Sequence, residues 1–331
     1  MKSSKKINTY DKFKHNESSP FRGLGSLLSL LLIFTVFTSC ETEFTPEPIE
    51  NAEQIVVEGY IEAGENARPT YVILTKSLPF FDEINQETYN NIFINDAEVK
   101  VFDGENEVTL SELCISELTP EQLEIASEFL GLDAASAEVE FCVYLDIFQQ
   151  LTPEIGGRYD LTIKTGEETL TATTTIPELV ELDSLKFVPT PGEDVDTLAQ
   201  LEAFVQDPAG IDNYYRYFTQ INSEPMIGGI PSVTDDRLFD GQFFAFPIAK
   251  AERRDAEFNT TTYGYYFVGD TLTMRWANVD KEHFDFWNTL EFNALNQGPF
   301  SSYTRVDSNV EGGLGIWGGY ATKYYTLVVE K

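Results

Sequence analysis

The sequence predicts a mainly β protein: an N-terminal β-sandwich of Ig-like or transthyretin-like type, then a C-terminal β-rich domain with one or two short helices. Three observations lead there. Short stretches of alternating apolar and polar residues recur at roughly 8–12-residue spacing, the pattern of sandwiches. Turn dipeptides such as Asp103-Gly104 and Thr165-Gly166 separate them. The chain has 331 residues and is 42% hydrophobic, enough for two cores.

The elements follow in order. Gln54–Glu62 and Thr70–Ser77 read as strands around the turn AGENARP. In Asp96–Glu112, Ala97, Val99 and Val101 alternate with Glu98 and Lys100, then the chain reverses at Asp103-Gly104 and leaves through Val108 and Leu110, a hairpin. Gly157–Pro177 gives a second hairpin, with Tyr159, Leu161 and Ile163 on one face. Between the two lies TPEQLEIASEFLGLD, a helix signal. Thr119 is its N-cap, Pro120 takes the first helical position, Gln122 completes a capping box, and Gly131 ends it. Cys114 and Cys142 flank this helix and read as a disulfide stapling an insertion over about residues 112–156. Pro177 closes the sandwich of residues 54–177. In the second domain, residues 178–331, strands are expected at Leu182–Val188, Leu198–Pro208, Asn213–Ile221, Gly264–Asp280 and Tyr320–Glu330. A helix capped by Asp280 begins at Lys281 and stops at Gly298-Pro299.

The first 39 residues have another character. Residues 1–23 carry five lysines and Arg22, and Leu24–Phe37 is a run of fourteen residues without a charge. That run is shorter than the roughly 20 residues a membrane-spanning helix needs. A basic segment, a short apolar segment and small residues describe a secretory signal. The segment FTSC resembles the lipobox of bacterial lipoproteins, with Phe37 where Leu or Val is usual, which makes Cys40 the acylated first residue of the mature chain. Residues 40–53 then form a flexible tether, rich in Glu, Pro and Thr. Glu41 and Glu43 resemble the acidic surface-export signal of some Gram-negative lipoproteins. The expected location is the outer membrane, lipid-anchored and facing the cell exterior.

Residues 1–39 hold 6 of the 22 Lys/Arg and 2 of the 55 Asp/Glu, so the mature chain keeps 16 basic and 53 acidic residues, net −37. Nucleic acid is excluded as a partner, because its phosphates need a basic footprint. Solubility at an exposed location accounts for such charge; a divalent cation or a basic partner is the alternative.

The segments FVQDPAGIDNYYRY, DDRLFDGQ, GDTLTMRW, FDFWNTLE and GPFSSYTRVDSNVEGGLGIWGGY occur in an order that resembles the uncharacterised outer-membrane lipoprotein family catalogued as domain of unknown function 4249. VEGYIEAGENARPTYVILTKSLPFF fits the start of that family, and the Cys114–Cys142 insertion is not part of the likeness. The resemblance implies a two-domain β-rich lipoprotein encoded beside an outer-membrane β-barrel receptor of the TonB-dependent type. It supplies no catalytic residues.

Residue patterns that carry chemistry are few. His283 is the one histidine after Cys40, so a His-rich zinc site is excluded, and no G-x-S-x-G provides a nucleophile. His283 reads as a surface residue of the first helical turn. Gly313–Gly318 matches G-x-G-x-x-G, but a strand follows it, so the glycines read as tight turns or bulges packing Trp317 and Tyr320. Asp235, Asp236 and Asp240 around Arg237 form either a turn or a calcium site. Pro191–Thr197 is a weaker candidate of the same kind. Aromatic pairs stand at Phe80-Phe81 and at Phe243-Phe244, and the second follows an Asp/Gly turn where exposed rings suit a partner contact. Together these readings favour a non-enzymatic accessory lipoprotein without a cofactor, in nutrient import or outer-membrane assembly. A stand-alone glycan- or peptide-binding module and a carboxylate-based hydrolase are the alternatives.

Overall fold

The computed structural model describes residues 53–78, 85, 88, 91–119, 142–192, 195–253, 256–296 and 305–330. The chain divides into compact units of residues 1–49 and 50–331, and every described residue belongs to the second. Cys40, the expected helix after Thr119, Phe80-Phe81 and Gly298-Pro299 lie outside the described residues.

The fold is mainly β. Its spine is an eight-stranded sheet whose spatial order is β12 (Ile227–Asp235), β11 (Tyr214–Ile221), β15 (Thr271–Val279), β17 (Leu314–Val328), β1 (Ile55–Gly64), β2 (Tyr71–Lys76), β6 (Cys142–Leu145) and β5 (Ser111–Cys114). A five-stranded sheet runs β16 (Val310–Glu311), β8 (Glu168–Thr175), β7 (Arg158–Thr165), β3 (Glu98–Phe102), β4 (Glu107–Thr109). In the smallest sheet, β10 (Leu198–Gln206) lies between β9 (Ser184–Pro189) on one side and β13 (Phe243–Ile248) with β14 (Tyr266–Phe267) on the other. Helix α1 covers Lys281–Leu295, with Asp280 as the expected N-cap accepting a hydrogen bond from the His283 amide.

Side-chain alternation explains how the layers meet. On β1, Val57, Ile61 and Ala63 turn to one face and join Val99, Val101, Leu161, Ile163 and Leu170 in a core between the large sheet and the five-stranded sheet, a sandwich-like arrangement. A second core gathers Leu201, Ala203, Val205, Tyr215, Met274 and Trp276 over the smallest sheet. A third, with Tyr60, Ile316, Tyr320 and Phe284, lies under α1. The expected division at Pro177 falls between the first two cores, yet the eight-stranded sheet passes through both.

Strand β17 makes that continuity. It pairs in parallel with β1, Val56 beside Leu314 through Gly64 beside Thr322, and antiparallel with β15 on its other edge. Trp317 and Ala321 point into the first core, Ile316 and Tyr320 into the third, and Tyr325 packs on the second. Gly313 lies in the bend between β16 and β17, as expected of a turn, whereas Leu314–Gly318 continues as strand in unbroken register with β1. The glycines are there for closeness. Gly315 sits at φ +113°, where a Cβ would strike the Val57 carbonyl, and a Cβ on Gly318 would lie 2.5 Å from the His283 ring.

Strands β5, β6, β12 and β13 have no clear signal in the sequence. The first two pair Cys114 opposite Cys142, and these cysteines form the expected disulfide. The bond spans a sequence separation of 28 residues at the edge of the large sheet. Replacing both cysteines by serine should lower stability by about 3–4 kcal/mol in the chain-entropy account, read as a lower urea midpoint of the double variant.

Candidate functional site

The most built-up site lies on the face of the large sheet that carries α1. Alternation puts Glu58, Tyr60 and Glu62 of β1 on that face, together with Arg216 and Phe218 of β11, Arg275 of β15 and Tyr320 of β17. These residues line a cavity of about 180 Å³, and Trp287 of α1 and Arg68 of the β1–β2 turn are also in its walls.

Its polar groups are held in three sets. Arg275 Nη2 donates to Glu62 Oε2 at 2.6 Å, an ion pair buried at both ends. Glu62 Oε1 also accepts from the Thr322 hydroxyl at 2.7 Å and the Tyr324 hydroxyl at 3.3 Å. Arg216 is bonded differently. Its Nη1 donates to the Tyr320 hydroxyl at 2.5 Å and its Nε to Ser232 Oγ at 3.1 Å; Ser232 in turn donates through Oγ and its amide to the two oxygens of buried Glu291. Among the described residues no carboxylate forms an ion pair with Arg216. Aromatic faces take that place: the guanidinium carbon sits 3.7 Å from the Trp287 ring and 4.8 Å from that of Phe218. Arg275 lies 4.3 Å over Tyr320 and 4.7 Å over Phe218. Two buried donors of the lining, Arg275 Nε and Trp287 Nε1, have no acceptor among the described residues.

Burial sets the protonation states. It pushes the Tyr60 and Tyr320 hydroxyls up, so both remain neutral donors, with Arg216 pulling the other way. Glu58 reaches solvent at the cavity mouth, and the surrounding protein still raises its carboxyl while Arg216 opposes the rise.

His283 corrects the sequence reading. It is fully buried, not on the surface. Its Nδ1 faces the Gly319 carbonyl at 3.2 Å, and its ring lies 4.6 Å from Tyr320 and 5.6 Å from Tyr60. Gly318 provides the space. Burial, and then the Arg216 charge, hold the imidazole well below its usual range, and it is neutral.

The acidic turn is also rearranged. Asp235 bonds Arg237 at 2.6 Å on the surface, and the carboxylates that converge are Asp236, Asp240 and Asp207. Asp207 accepts from the Tyr215 hydroxyl at 2.5 Å and the Gly241 amide at 3.0 Å, Asp236 from the Asn213 amide at 2.7 Å, and Asp240 from the Gly210 amide at 2.7 Å. Burial raises the Asp236 carboxyl, with Asp207 adding to the rise. Calcium takes roughly six to eight oxygens. Three carboxylates already bonded to loop amides account better for tying two loops together. Glu112 beside Cys114 and Cys142 offers no metal site either, because both sulfurs are in the disulfide.

Phe243 and Phe244 open β13, which pairs with β10 alone, so its other edge is bare among the described residues. Phe243 is 60% exposed and stacks on Phe204, and Phe244 is 37% exposed and stacks on Phe239. Leu238, 88% exposed, stands at the same apolar groove of about 310 Å³, which Phe244, Phe246 and Trp276 also line.

The sequence alone thus points to the aromatic edge and to part of the acidic cluster, and it misses Asp207 and the whole cavity. The signals for the cavity are Glu62, Arg216 and Arg275, single charges inside otherwise apolar or aromatic strand segments. A family model described as "Domain of unknown function (DUF4249)" matches residues 41–326. No curated protein and no solved structure matches the chain.

The neutral histidine has a measurable consequence. The unfolded chain takes up a proton at His283 near pH 6.5, and the folded chain does so only well below. Its contribution is complete above that pH and is lost as the pH falls, at up to about 1.4 kcal/mol per pH unit. Urea midpoints should therefore show the advantage of wild type over His283→Gln shrinking between about pH 7.5 and about pH 5.5.

Proposed function

The chain belongs to the family described as Domain of unknown function (DUF4249), and from that premise we propose that it is a non-enzymatic outer-membrane lipoprotein serving as accessory subunit of a TonB-dependent-receptor-like barrel. The observation that carries the reading is the exposed aromatic edge. A strand edge that is bare among the described residues and bears Phe243 and Phe244, next to Leu238 and an apolar groove, is a surface that gains from being covered. Rings of this kind, already partly stacked, lose little entropy on docking.

The leader ending at Cys40 supports the rest. An acyl chain on that cysteine and the polar segment of residues 41–53 would confine the folded unit to the membrane plane, raising its effective concentration beside a barrel. Export to the cell surface agrees with Glu41 and Glu43 and with the net −37 of the mature chain. The second reading, a surface module that binds peptides or glycans alone, draws on the arginine-lined cavity.

Affinity purification of the C-terminally tagged chain from solubilised outer membranes, read by mass spectrometry, tests the proposal. A barrel should co-purify near one to one, and Phe243→Ser with Phe244→Ser should reduce its yield by about tenfold, equivalent to about 1.4 kcal/mol. Cys40→Ala should release the chain from membranes. A lone lipoprotein with no barrel contradicts the accessory role and favours the second reading.

A further inference from the structure

We propose that the cavity between β1, β11, β15 and α1 binds a monocarboxylate of amino-acid size with an apolar or aromatic body, its carboxyl group held by Arg216 and Arg275. This goes beyond barrel docking and stands with or without it.

Charge distribution is the first ground. The mature chain has eight arginines among 53 acidic residues, and three of the eight, Arg68, Arg216 and Arg275, line this one cavity. Among the described residues Glu58 and Glu62 are the carboxylates that line it with them, so arginines outnumber carboxylates in the lining, which suits a monoanion or a zwitterion. The second ground is an imbalance of donors. Among the described residues Arg275 Nε and Trp287 Nε1 are buried without an acceptor, and Arg216 hydrogen-bonds only hydroxyls and lies on ring faces, with no carboxylate bonded to it. Buried donors are normally paired, and a guanidinium out of water without an anion is costly. A carboxylate supplies planar acceptor oxygens that match the guanidinium fork.

Size and walls narrow the ligand further. About 180 Å³ lies below the roughly 300 Å³ at which drug-sized sites begin, and it holds on the order of six waters. The rings of Tyr60, Phe218 and Trp287 offer an apolar lining for the body of the ligand. Glu58, at the solvent side, makes among the described residues only a long 3.4 Å contact with the Tyr60 hydroxyl and is placed to accept from an ammonium group. A free amino acid and the C-terminal residue of a peptide share the carboxylate and differ at that amine.

Calorimetry on the full chain in detergent, with 3-phenylpropionate, 3-phenylpropanol, L-phenylalanine, glycyl-phenylalanine and inorganic phosphate, separates the outcomes. The acid should bind at least about tenfold more tightly than the alcohol, and more tightly than phosphate, which has no body to cover the aromatic walls. L-phenylalanine ahead of the dipeptide identifies free amino acids as the source, and the reverse order identifies peptide ends. Arg216→Gln should weaken the acid by about tenfold or more. Glu58→Gln, at an exposed position, removes a carboxylate that opposes Arg216, so it should hold or tighten 3-phenylpropionate while removing any gain L-phenylalanine shows over it. Equal binding of acid and alcohol, or no binding of any organic probe, overturns the proposal. Wild type and Glu58→Gln decide between these outcomes even if Arg216→Gln does not fold.

Discussion

The parallel pairing of β1 with β17 is the constraint on which the structure depends. Parallel neighbours need a crossover, and here the crossover is nearly the whole folded chain, residues 65–313. The pairing merges what would be two β domains into one sheet. It also brings Glu62 of β1 to Arg275 of β15 across the intervening strand, whose Thr322 and Tyr324 supply further hydrogen bonds to the same carboxylate. A buried ion pair gains little over apolar packing, but one partner without the other is strongly destabilising. Glu62 and Arg275 therefore specify register. A slip of one residue in either strand would send its charge to the opposite face, Glu62 into the first core or Arg275 into the second, and leave the partner charge buried alone.

The same splice explains the glycines. Gly59 and Gly315 let β1 and β17 approach with Trp317 filling the first core between the sheets, and Gly318 lets the His283 ring lie flat on the strand. His283, Tyr60 and Tyr320 then form the floor on which the arginines rest. Ser232 of β12 accepts from Arg216 on the cavity side and lines the apolar groove beside β13. The groove proposed to meet a partner and the cavity proposed to hold a carboxylate thus share one short hydrogen-bonded segment, closed by Glu291 of α1.

Much of this is legible in the sequence, and the limits are physical. Alternation at Val99, Val101, Leu161 and Ile163 marks half-buried strands because one face of each is solvated. Asp280 marks the helix start because the first amides need a cap. Strand β13, FFAFPI, carries no alternation and a proline, so no strand pattern marks it, and β5 and β6 are only four residues each. His283 eludes a sequence reading because its helical position suggests exposure, while its actual environment is set by Gly318, far along the chain. Pairing between β1 and β17 leaves no local pattern at all. The cavity follows from that pairing, and so its residues appear in the sequence only as isolated charges.

Native-state hydrogen exchange, mapped on peptides covering β1, β15 and β17, tests the splice most directly. If the sheet is one cooperative unit, amides of Ile55–Gly64 and Leu314–Val328 should exchange only through global unfolding, at the same free energy as those of Thr271–Val279. Exchange of β17 at distinctly lower free energy, while strands β3, β7 and β8 of the first core stay protected, would show two separable domains and contradict the account.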